Sequence, residues 1–455
     1  MNIGGEFMSR LFGTDGVRGR ANAELTPELA YKLGRAATIY FGKESKNTPT
    51  VLIGRDTRVS GEMLESALIA GICSAGGRAI VAGIIPTPAV AYLAKKLETK
   101  AGIVISASHN PFYDNGIKFF GGDGYKLPDA VEDEIEAIVQ KIEKNDDFPR
   151  PTDNKLCHVE YRHNLVEDYV KFVLNTTNQR LDGMKIVLDC ANGAAYEAMP
   201  EILQKLGAEV ITFGTMPNGV NINDNCGSTH IENLQREVIK NHADIGIAHD
   251  GDADRCLCVD EEGRIIDGDH ILVICATDMI KADNLPNNTV VTTVMANIGF
   301  RQAIQNLGGK FEITKVGDRY VLENMLKNGY KLGGEQSGHI IFTDFSTTGD
   351  GLITALQVLT AMRRSNKKAS ELNALMTTYP QVLLNVKVRN KSAYENEVVQ
   401  KVIKAAEDEL GDSGRILVRA SGTEPLIRVM AEGPNQEQLE TLCRRIVNII
   451  DIVQG

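Results

Sequence analysis

Short apolar runs alternate along this chain with longer segments of helical spacing, and the alternation comes round three times. Thr50–Gly54, Arg78–Ala82 and Ala101–Ser106 read as strands, with helical spacing at Glu62–Cys73 and Ala89–Leu97 between them. A β-α-β-α-β order implies a parallel sheet with crossover helices. The rhythm returns as strand Met184–Asp189, helix Glu197–Leu206, strand Glu209–Phe213, helix Ile231–Asn241 and strand Ala243–Ala248. A third round runs through His270–Ile280, Thr289–Met295, Phe300–Leu307 and Phe311–Val316. The pattern repeats, but the sequence itself does not. The last part differs: strands at Val382–Val388, Arg415–Arg419 and Leu426–Ala431, one long helix at Ala393–Leu410, and another at Gln436–Ile450.

At 455 residues the chain exceeds the ~250–300 that one hydrophobic core sustains. The expected architecture is α/β: three similar α/β domains with mixed, mostly parallel sheets, plus a smaller C-terminal α+β domain. The expected boundaries are 1–158, 159–264, 265–379 and 380–455, with the polar stretch Lys144–Leu156 as the first linker.

A formal net charge of -11 argues against nucleic acid as a partner, because phosphate backbones need an excess of Lys and Arg. It leaves a small anionic substrate open, since local basic groups can outweigh the global charge. No apolar run approaches the ~18–20 residues that span a bilayer. The first residues lack a basic region followed by an apolar one, so no signal peptide is expected, and Met8-Ser9-Arg10-Leu11 reads as the native start after a seven-residue appendage. The eight cysteines are scattered. Cys256 and Cys258 read as one inward and one outward thiol of a strand rather than a metal pair. Reduced thiols in a cytoplasm fit this usage.

Parallel sheets bind ligands at the carboxyl ends of their strands, so polar motifs directly after strands matter most. Ser106-Ala107-Ser108-His109-Asn110-Pro111 is one such motif. Ser108 there is either a cap in a polar turn or a nucleophile exposed to a cleft. The motif is not a Gly-x-Ser-x-Gly elbow, which disfavours serine hydrolysis. Asp250-Gly251-Asp252-Ala253-Asp254-Arg255 is a second. Carboxylates at i, i+2 and i+4 in a tight turn converge on a hard cation, and repel one another without it. With Glu261 they match four EF-hand positions. However, Arg255 stands where that loop requires Gly, and strands flank the turn, so a calcium loop is rejected. Three carboxylates leave room on Mg²⁺ for a phosphate oxygen, which Arg255 can neutralise.

Arg419-Ala420-Ser421-Gly422-Thr423-Glu424-Pro425, with Arg428 close behind, offers a guanidinium, two hydroxyls and backbone N–H groups as a phosphate cradle, and serves equally as a turn between strands. In Gly333-Gly334-Glu335-Gln336-Ser337-Gly338-His339, Glu335 and Ser337 stand one strand period apart and can reach vicinal hydroxyls together, while His339 can carry a proton. Two loops complete the set: Phe12–Gly19, which contains Arg18, and Gly54–Gly61. Lys118 follows Ser108 by ten positions and can return to it.

Taken together and in this order, these stretches resemble the α-D-phosphohexomutase superfamily over nearly the whole chain. The resemblance implies four domains around one central cleft, with the last closing on the substrate. It implies that Ser108 carries the phosphoryl group, and that Asp250, Asp252 and Asp254 bind one Mg²⁺ together with the Ser108 phosphate. Arg18 and Lys118 would neutralise that phosphate, and His339 and Lys118 would move the hydroxyl proton. Glu335 and Ser337 would recognise the sugar. Arg255, Arg419, Ser421, Gly422, Thr423 and Arg428 would bind phosphate.

The form of the loop with Gln336 looks like that of the phosphoglucosamine mutases, where the phosphomannomutase/phosphoglucomutase branch typically has Met. Ala420 departs from the Pro common in the former. That branch implies interconversion of glucosamine 6-phosphate and glucosamine 1-phosphate, with glucosamine 1,6-bisphosphate or glucose 1,6-bisphosphate as intermediate or activator, feeding UDP-N-acetylglucosamine and cell-wall precursors. The alternatives are phosphomannomutase/phosphoglucomutase activity, or a non-catalytic phosphosugar-binding protein. The expected partner is a small phosphosugar, with no nucleic acid and no membrane, and room is left for a homodimer.

Overall fold

Val51, Leu52 and Ile53 are wholly buried, as are Ile103, Val104 and Ile105. A strand covered on both faces reads as an unbroken apolar run, which is why these segments show no alternation. In the computed structural model, which describes residues 10–13, 15–43, 48–421 and 425–454, they form the middle of a six-stranded sheet. Its strands are Val17–Arg20 (β1), Thr50–Arg55 (β2), Arg78–Ile84 (β3), Ala101–Ile105 (β4), Asp114–Gly121 (β5) and Val159–Tyr161 (β6), in the order β1-β5-β4-β2-β3-β6. The strands β4, β2, β3 and β6 run parallel, whereas β5 returns antiparallel to β4 and pairs with β1. The apolar rhythm did not reveal β5. It sets Lys118 opposite Val104, beside the strand that leads to Ser108.

Lys185–Asp189 (β7), Glu209–Phe213 (β8), Ile245–His249 (β9), Cys256–Asp260 (β10) and Ile265–Ile266 (β11) form a second sheet, ordered β11-β10-β9-β7-β8. Thr289–Thr293 (β12), Lys310–Thr314 (β13), Leu332–Gly334 (β14) and Ile340–Phe342 (β15) form a third, ordered β13-β12-β14-β15. The smaller C-terminal sheet is antiparallel throughout: Gln381–Lys387 (β16), Leu426–Glu432 (β18) and Arg415–Ala420 (β17), with β18 in the middle. The fold is thus α/β with mixed, mostly parallel sheets and a smaller C-terminal α+β part.

Contacts divide the chain into two compact units. One holds the described residues up to Val294 together with Lys310–Asn373, and the other holds Met295–Gly309 and Ala374 onward. In the first unit, the six-stranded sheet packs its apolar face on helices Pro27–Gly42, Gly61–Ser74 and Asp129–Lys144. The first of these begins with Pro27, and the hydroxyl of Thr26 accepts the Leu29 N–H at 3.2 Å, a cap with a proline behind it. In the second unit, Val399 and Ile403 of helix Glu397–Leu410 meet Leu439, Leu442 and Ile446 of helix Gln436–Gln454 in one buried cluster.

Two local expectations are corrected. The segment Ala393–Leu410 is not one helix: a 3₁₀ turn spans Lys391–Glu395, and the α-helix starts after Asn396. Asn396 is extended (φ -59°, ψ 137°) and its side chain accepts the Val398 N–H, so it caps the helix instead of continuing it. Cys256 and Cys258 do not point opposite ways. Residues i and i+2 share a face of a strand, and both thiols are buried with their sulfurs 3.8 Å apart. All eight cysteines are free. The expected start at Met8 lies outside the described residues. Among the described residues no helix is long and apolar enough to cross a membrane.

Candidate active site

Beyond β4 the backbone turns sharply, and Ser108 adopts a left-handed conformation at φ 52°. Such a conformation costs a non-glycine residue about 1–3 kcal/mol and persists only where its surroundings impose it. Here they do. The Ser106 hydroxyl accepts the Ser108 N–H at 2.9 Å and donates to Asp56 at 2.6 Å. Arg58, only 1% exposed, spreads its guanidinium over three carbonyls: Ser108 at 2.8 Å, Asn110 at 2.9 Å and Pro111 at 2.6 Å. Asp56 fixes the guanidinium through Nε at 2.9 Å. The Asn223 amide donates to the Ser108 and Asn110 carbonyls, each at 3.0 Å. Ser108 is therefore not exposed, as a serine at a strand end was expected to be; it is 2% accessible.

A planar three-way clamp cannot be replaced by a point charge. Arg58→Ala is expected to lower kcat by roughly 100-fold, the scale of a 1 Å misplacement, and Arg58→Lys to recover little of it. Steady-state rates set beside melting temperatures check this.

The aspartate turn joins β9 to β10 and bends at Ala253, φ 60°. A Cβ on Gly251 would lie 2.6 Å from the Ser108 carbonyl oxygen, so only glycine lets the two loops touch. Asp250, Asp252 and Asp254 are buried, and one oxygen of each lies within 4.8 Å of the others. The Ser108 hydroxyl donates to Asp250 Oδ2 at 2.6 Å. Thr87 and Lys118 hold Asp252 Oδ2 at 2.7 and 2.9 Å. Burial, then repulsion from Asp254 and Asp252, pushes the Asp250 pKa up to about 8. Burial opposes the charge of Asp254 as well, but His339, Lys118 and Arg255 outweigh it and hold its pKa far down.

Oδ1 of Asp252 and Oδ1 of Asp254 are buried without a hydrogen-bond partner. Unpartnered anionic oxygens at this spacing suit a hard divalent cation, with the three aspartates as ligands and Ser108 alongside. The flanking strands, and Glu261 engaged at the N–H and hydroxyl of Ser370, leave no EF-hand.

Both loops open on a cavity of about 470 Å³. Ser108, Arg18, Arg255, Glu335 and His339 all line it. Arg18 pairs with Asp15. Arg255 Nε is 3.9 Å from Asp254 and 4.0 Å from Asp250. His109 also lines the cavity, its pKa pushed down to about 4 by burial and by Arg255 and Arg18. Lys118 sits behind this lining, its Nζ 3.0 Å from Asp15 and 2.9 Å from Asp252; burial opposes its charge, but Asp15, Asp252 and Asp254 prevail and raise its pKa.

His339 is buried between Asp254 (3.5 Å from Nδ1) and Asp318 (3.4 Å from Nε2). Burial lowers its pKa, but these carboxylates lift it to about 8. The Gly349 N–H also donates to Nε2 at 3.1 Å, which requires a bare nitrogen, whereas Asp318 requires a protonated one. Each protonation state of Nε2 thus has its own partner.

Glu335 and Ser337 do not share a strand. They lie in the turn between β14 and β15, where alternation does not apply. Glu335 accepts the Gly317 N–H at 3.0 Å and faces the cavity; Ser337 is exposed and does not line it. In the C-terminal sheet, Arg419 stands directly opposite Arg428, and burial together with Arg428 lowers the Arg419 pKa. Like charges facing each other across strands are relieved by an anion. Ser421 is buried and its carbonyl accepts Lys391 Nζ at 2.8 Å. Gly422 and Thr423 lie outside the described residues. A second cavity, about 530 Å³ beside Met184, Ala243 and Met362, lies at the amino ends of β7 and β9, away from these loops.

Sequence reasoning passed over Asp15, Asp56, Arg58, Thr87, Lys126 and Asp318. The first three lie within loops it had singled out. The others carry no local signal.

The chain matches the phosphoglucomutase/phosphomannomutase family in four parts: alpha/beta/alpha domain I at residues 9–146, domain II at 167–263, domain III at 267–379 and the C-terminal domain at 383–449. The phosphoglucosamine mutase of Ruminiclostridium cellulolyticum is 52% identical, over 98% of this chain and 99% of the relative. That of Pelotomaculum thermopropionicum is 54% identical, over 97% and 99%. A Burkholderia thailandensis phosphoglucomutase/phosphomannomutase family protein has the same fold at TM-score 0.81 and 23% identity, covering 99% of each chain. Aspergillus fumigatus N-acetylphosphoglucosamine mutase, solved with GlcNAc-6P and magnesium, superposes at TM-score 0.70 with 18% identity over 98% and 96%. Four matched domains, and full-length identity above half, show that the chain belongs to the phosphoglucomutase/phosphomannomutase family, on its phosphoglucosamine mutase branch, and is an isomerase of the phosphohexomutase type.

Proposed function

We propose that this enzyme interconverts glucosamine 6-phosphate and glucosamine 1-phosphate through a phosphorylated Ser108. The observation that carries the reading is the Ser108 hydroxyl, bonded at 2.6 Å to a buried three-aspartate site in the wall of the 470 Å³ cavity. Phosphoserine transfers its phosphoryl group to the sugar O1: the bond from phosphorus to Oγ breaks, a bond to O1 forms, and O1 gives up its proton. The resulting 1,6-bisphosphate turns over, the bond from its 6-phosphorus to O6 breaks as one to Ser108 Oγ forms, O6 takes up a proton in place of the one O1 gave up, and glucosamine 1-phosphate leaves. Such transfers depend on alignment and charge neutralisation more than on covalent chemistry.

His339 suits the proton best, because Nε2 has a partner in either state. Lys118, held cationic by its carboxylates, serves as a fixed positive charge with Arg18 rather than as a base. Mg²⁺ on the three aspartates and the serine phosphate would supply Lewis-acid stabilisation. Arg255 faces the reacting phosphate. Arg419, Ser421, Gly422, Thr423 and Arg428 hold the non-reacting one, a role supported by the opposed guanidiniums. Glu335, which lines the cavity, takes the sugar hydroxyls; Ser337, outside the lining, is not assigned to them. The product would feed UDP-N-acetylglucosamine synthesis in the cytoplasm, where eight free thiols are at home.

The test is kcat/KM for the phosphates of glucosamine, mannose and glucose, measured together with glucose 1,6-bisphosphate present. A preference of at least tenfold, about 1.4 kcal/mol, for the amino sugar is expected. Equal or better use of mannose or glucose phosphate overturns the amino-sugar assignment and leaves the family untouched.

A further inference from the structure

Lys126 lies outside the sequence motifs and lines the cavity. Its Nζ lies 2.7 Å from Asp15 Oδ1 and 2.7 Å from Asp318 Oδ2. Burial opposes its charge, yet the two carboxylates raise its pKa. The turn that presents it is tightly held. Gly121 N–H bonds to the Tyr125 carbonyl at 2.8 Å, Gly124 is left-handed at φ 84°, and the Gly124 carbonyl accepts the Thr347 hydroxyl. A Cβ on Gly124 would come within 2.7 Å of the Ala91 carbonyl, so the chain passes there only as glycine.

The contacts of Lys126 close a circuit. Asp252 meets Lys118, Lys118 meets Asp15, Asp15 meets Lys126, and Lys126 meets Asp318. Asp318 faces His339, and His339 faces Asp254. The sign of charge alternates at every step, and both ends are aspartates of the triad. Among these groups Lys126 is the cation that touches neither a triad aspartate nor Ser108. It nevertheless holds both carboxylates that orient Lys118 and His339.

There is an electrostatic reason for such a residue. Asp15 and Asp318 both line a cavity read as taking phosphate. Without Lys126, Asp15 would keep the cations Lys118 and Arg18, but Asp318 would keep only His339; its under-compensated charge would repel the phosphate, and a buried charge that loses a partner is costly. One ammonium shared between them cancels that repulsion and fixes both groups.

We propose that Lys126 is a positioning residue of the reaction, a shared counter-ion that keeps Asp15 and Asp318 from repelling the phosphoryl group and anchors Lys118 and His339 through them. The inference rests on the phosphohexomutase reading. Lys126→Met is expected to lower kcat roughly 100-fold while KM shifts far less, since misalignment acts on the transition state. The decisive comparison is Lys126→Met with Asp318→Asn. Asparagine keeps an amide oxygen that can accept from His339 Nε2 and drops the charge left without its ammonium, so the double variant should restore at least tenfold of the lost rate, whereas two independent structural lesions would add their losses. Lys126→Gln, alone and with Asp318→Asn, carries the same comparison should the methionine variant not fold. Wild-type enzyme is assayed alongside. A wild type that turns over no hexose phosphate ends the functional reading. A wild type that does, beside a single variant within twofold of it or a double variant no faster than the single one, overturns the role of Lys126 alone.

Discussion

Ser108→Ala is expected to lose turnover by more than about 10⁴-fold and to keep its fold, the scale that follows when a nucleophile is removed and binding remains. In the proposed reaction the phosphoryl group passes twice through Oγ, so the next hydroxyl along the chain cannot stand in. Ser106 is spent on Asp56 and on the Ser108 N–H. Stability changes little by comparison. Alanine meets the same left-handed backbone as serine, and the clamp of Arg58 and Asn223 grips carbonyls, which alanine retains. The lost contacts of the hydroxyl, to Asp250 at 2.6 Å and to His109 Nδ1 at 3.4 Å, cost about 1 kcal/mol each. Steady-state assays, thermal melts and intact mass check this, with the mass showing a phosphate on wild-type protein and none on the variant. A variant that keeps a hundredth of the wild-type rate would exclude the phosphoserine route.

Chelation of divalent metal is expected to abolish activity and added Mg²⁺ to restore it, with Asp252→Asn responding weakly to either. The electrostatics add a finer expectation. In the metal-free protein Asp250 keeps a proton up to about pH 8, because burial and two neighbouring carboxylates resist its ionisation. A cation at the triad requires that proton to leave. Binding at pH 7 should therefore release close to one proton, readable by calorimetry in buffers of different ionisation enthalpy.

A folded pKa raised above the unfolded value of ~3.9 gives stability that is complete below pH 4 and is lost as pH climbs through about 8. Mg²⁺ removes that loss, so the gain in melting temperature on adding it should grow from pH 5 to pH 8. At 100 times its Kd the ion contributes about 2.7 kcal/mol from mass action alone. Equal melting temperatures with and without Mg²⁺ at pH 8, together with no proton release, would remove the metal from this site.

Three of the site's loops were legible because each lies directly after a strand, and strand ends are where apolar periodicity breaks into polar residues. Asp250, Asp252 and Asp254 stand out on spacing alone, and the structure gathers their oxygens within 4.8 Å. Elsewhere local reading failed for identifiable reasons. Glu335 and Ser337 look like strand alternation, yet they occupy a hairpin turn. Lys118 stands ten positions after Ser108, and what brings it back is β5, a strand whose apolar residues give no separate signal beside β4.

The sequence by itself determined the α/β alternation, the places where polar loops leave the sheets, and the three-aspartate turn. All of these rest on residues within a few positions of one another. Tertiary structure alone decided that Ser108 is buried and held left-handed by Arg58, 50 residues away, and that Lys126 lies between Asp15 and Asp318. Such pairings are set by sheet order and loop packing. Periodicity reports which face of an element is buried, and it carries no information about which distant residue will be found there.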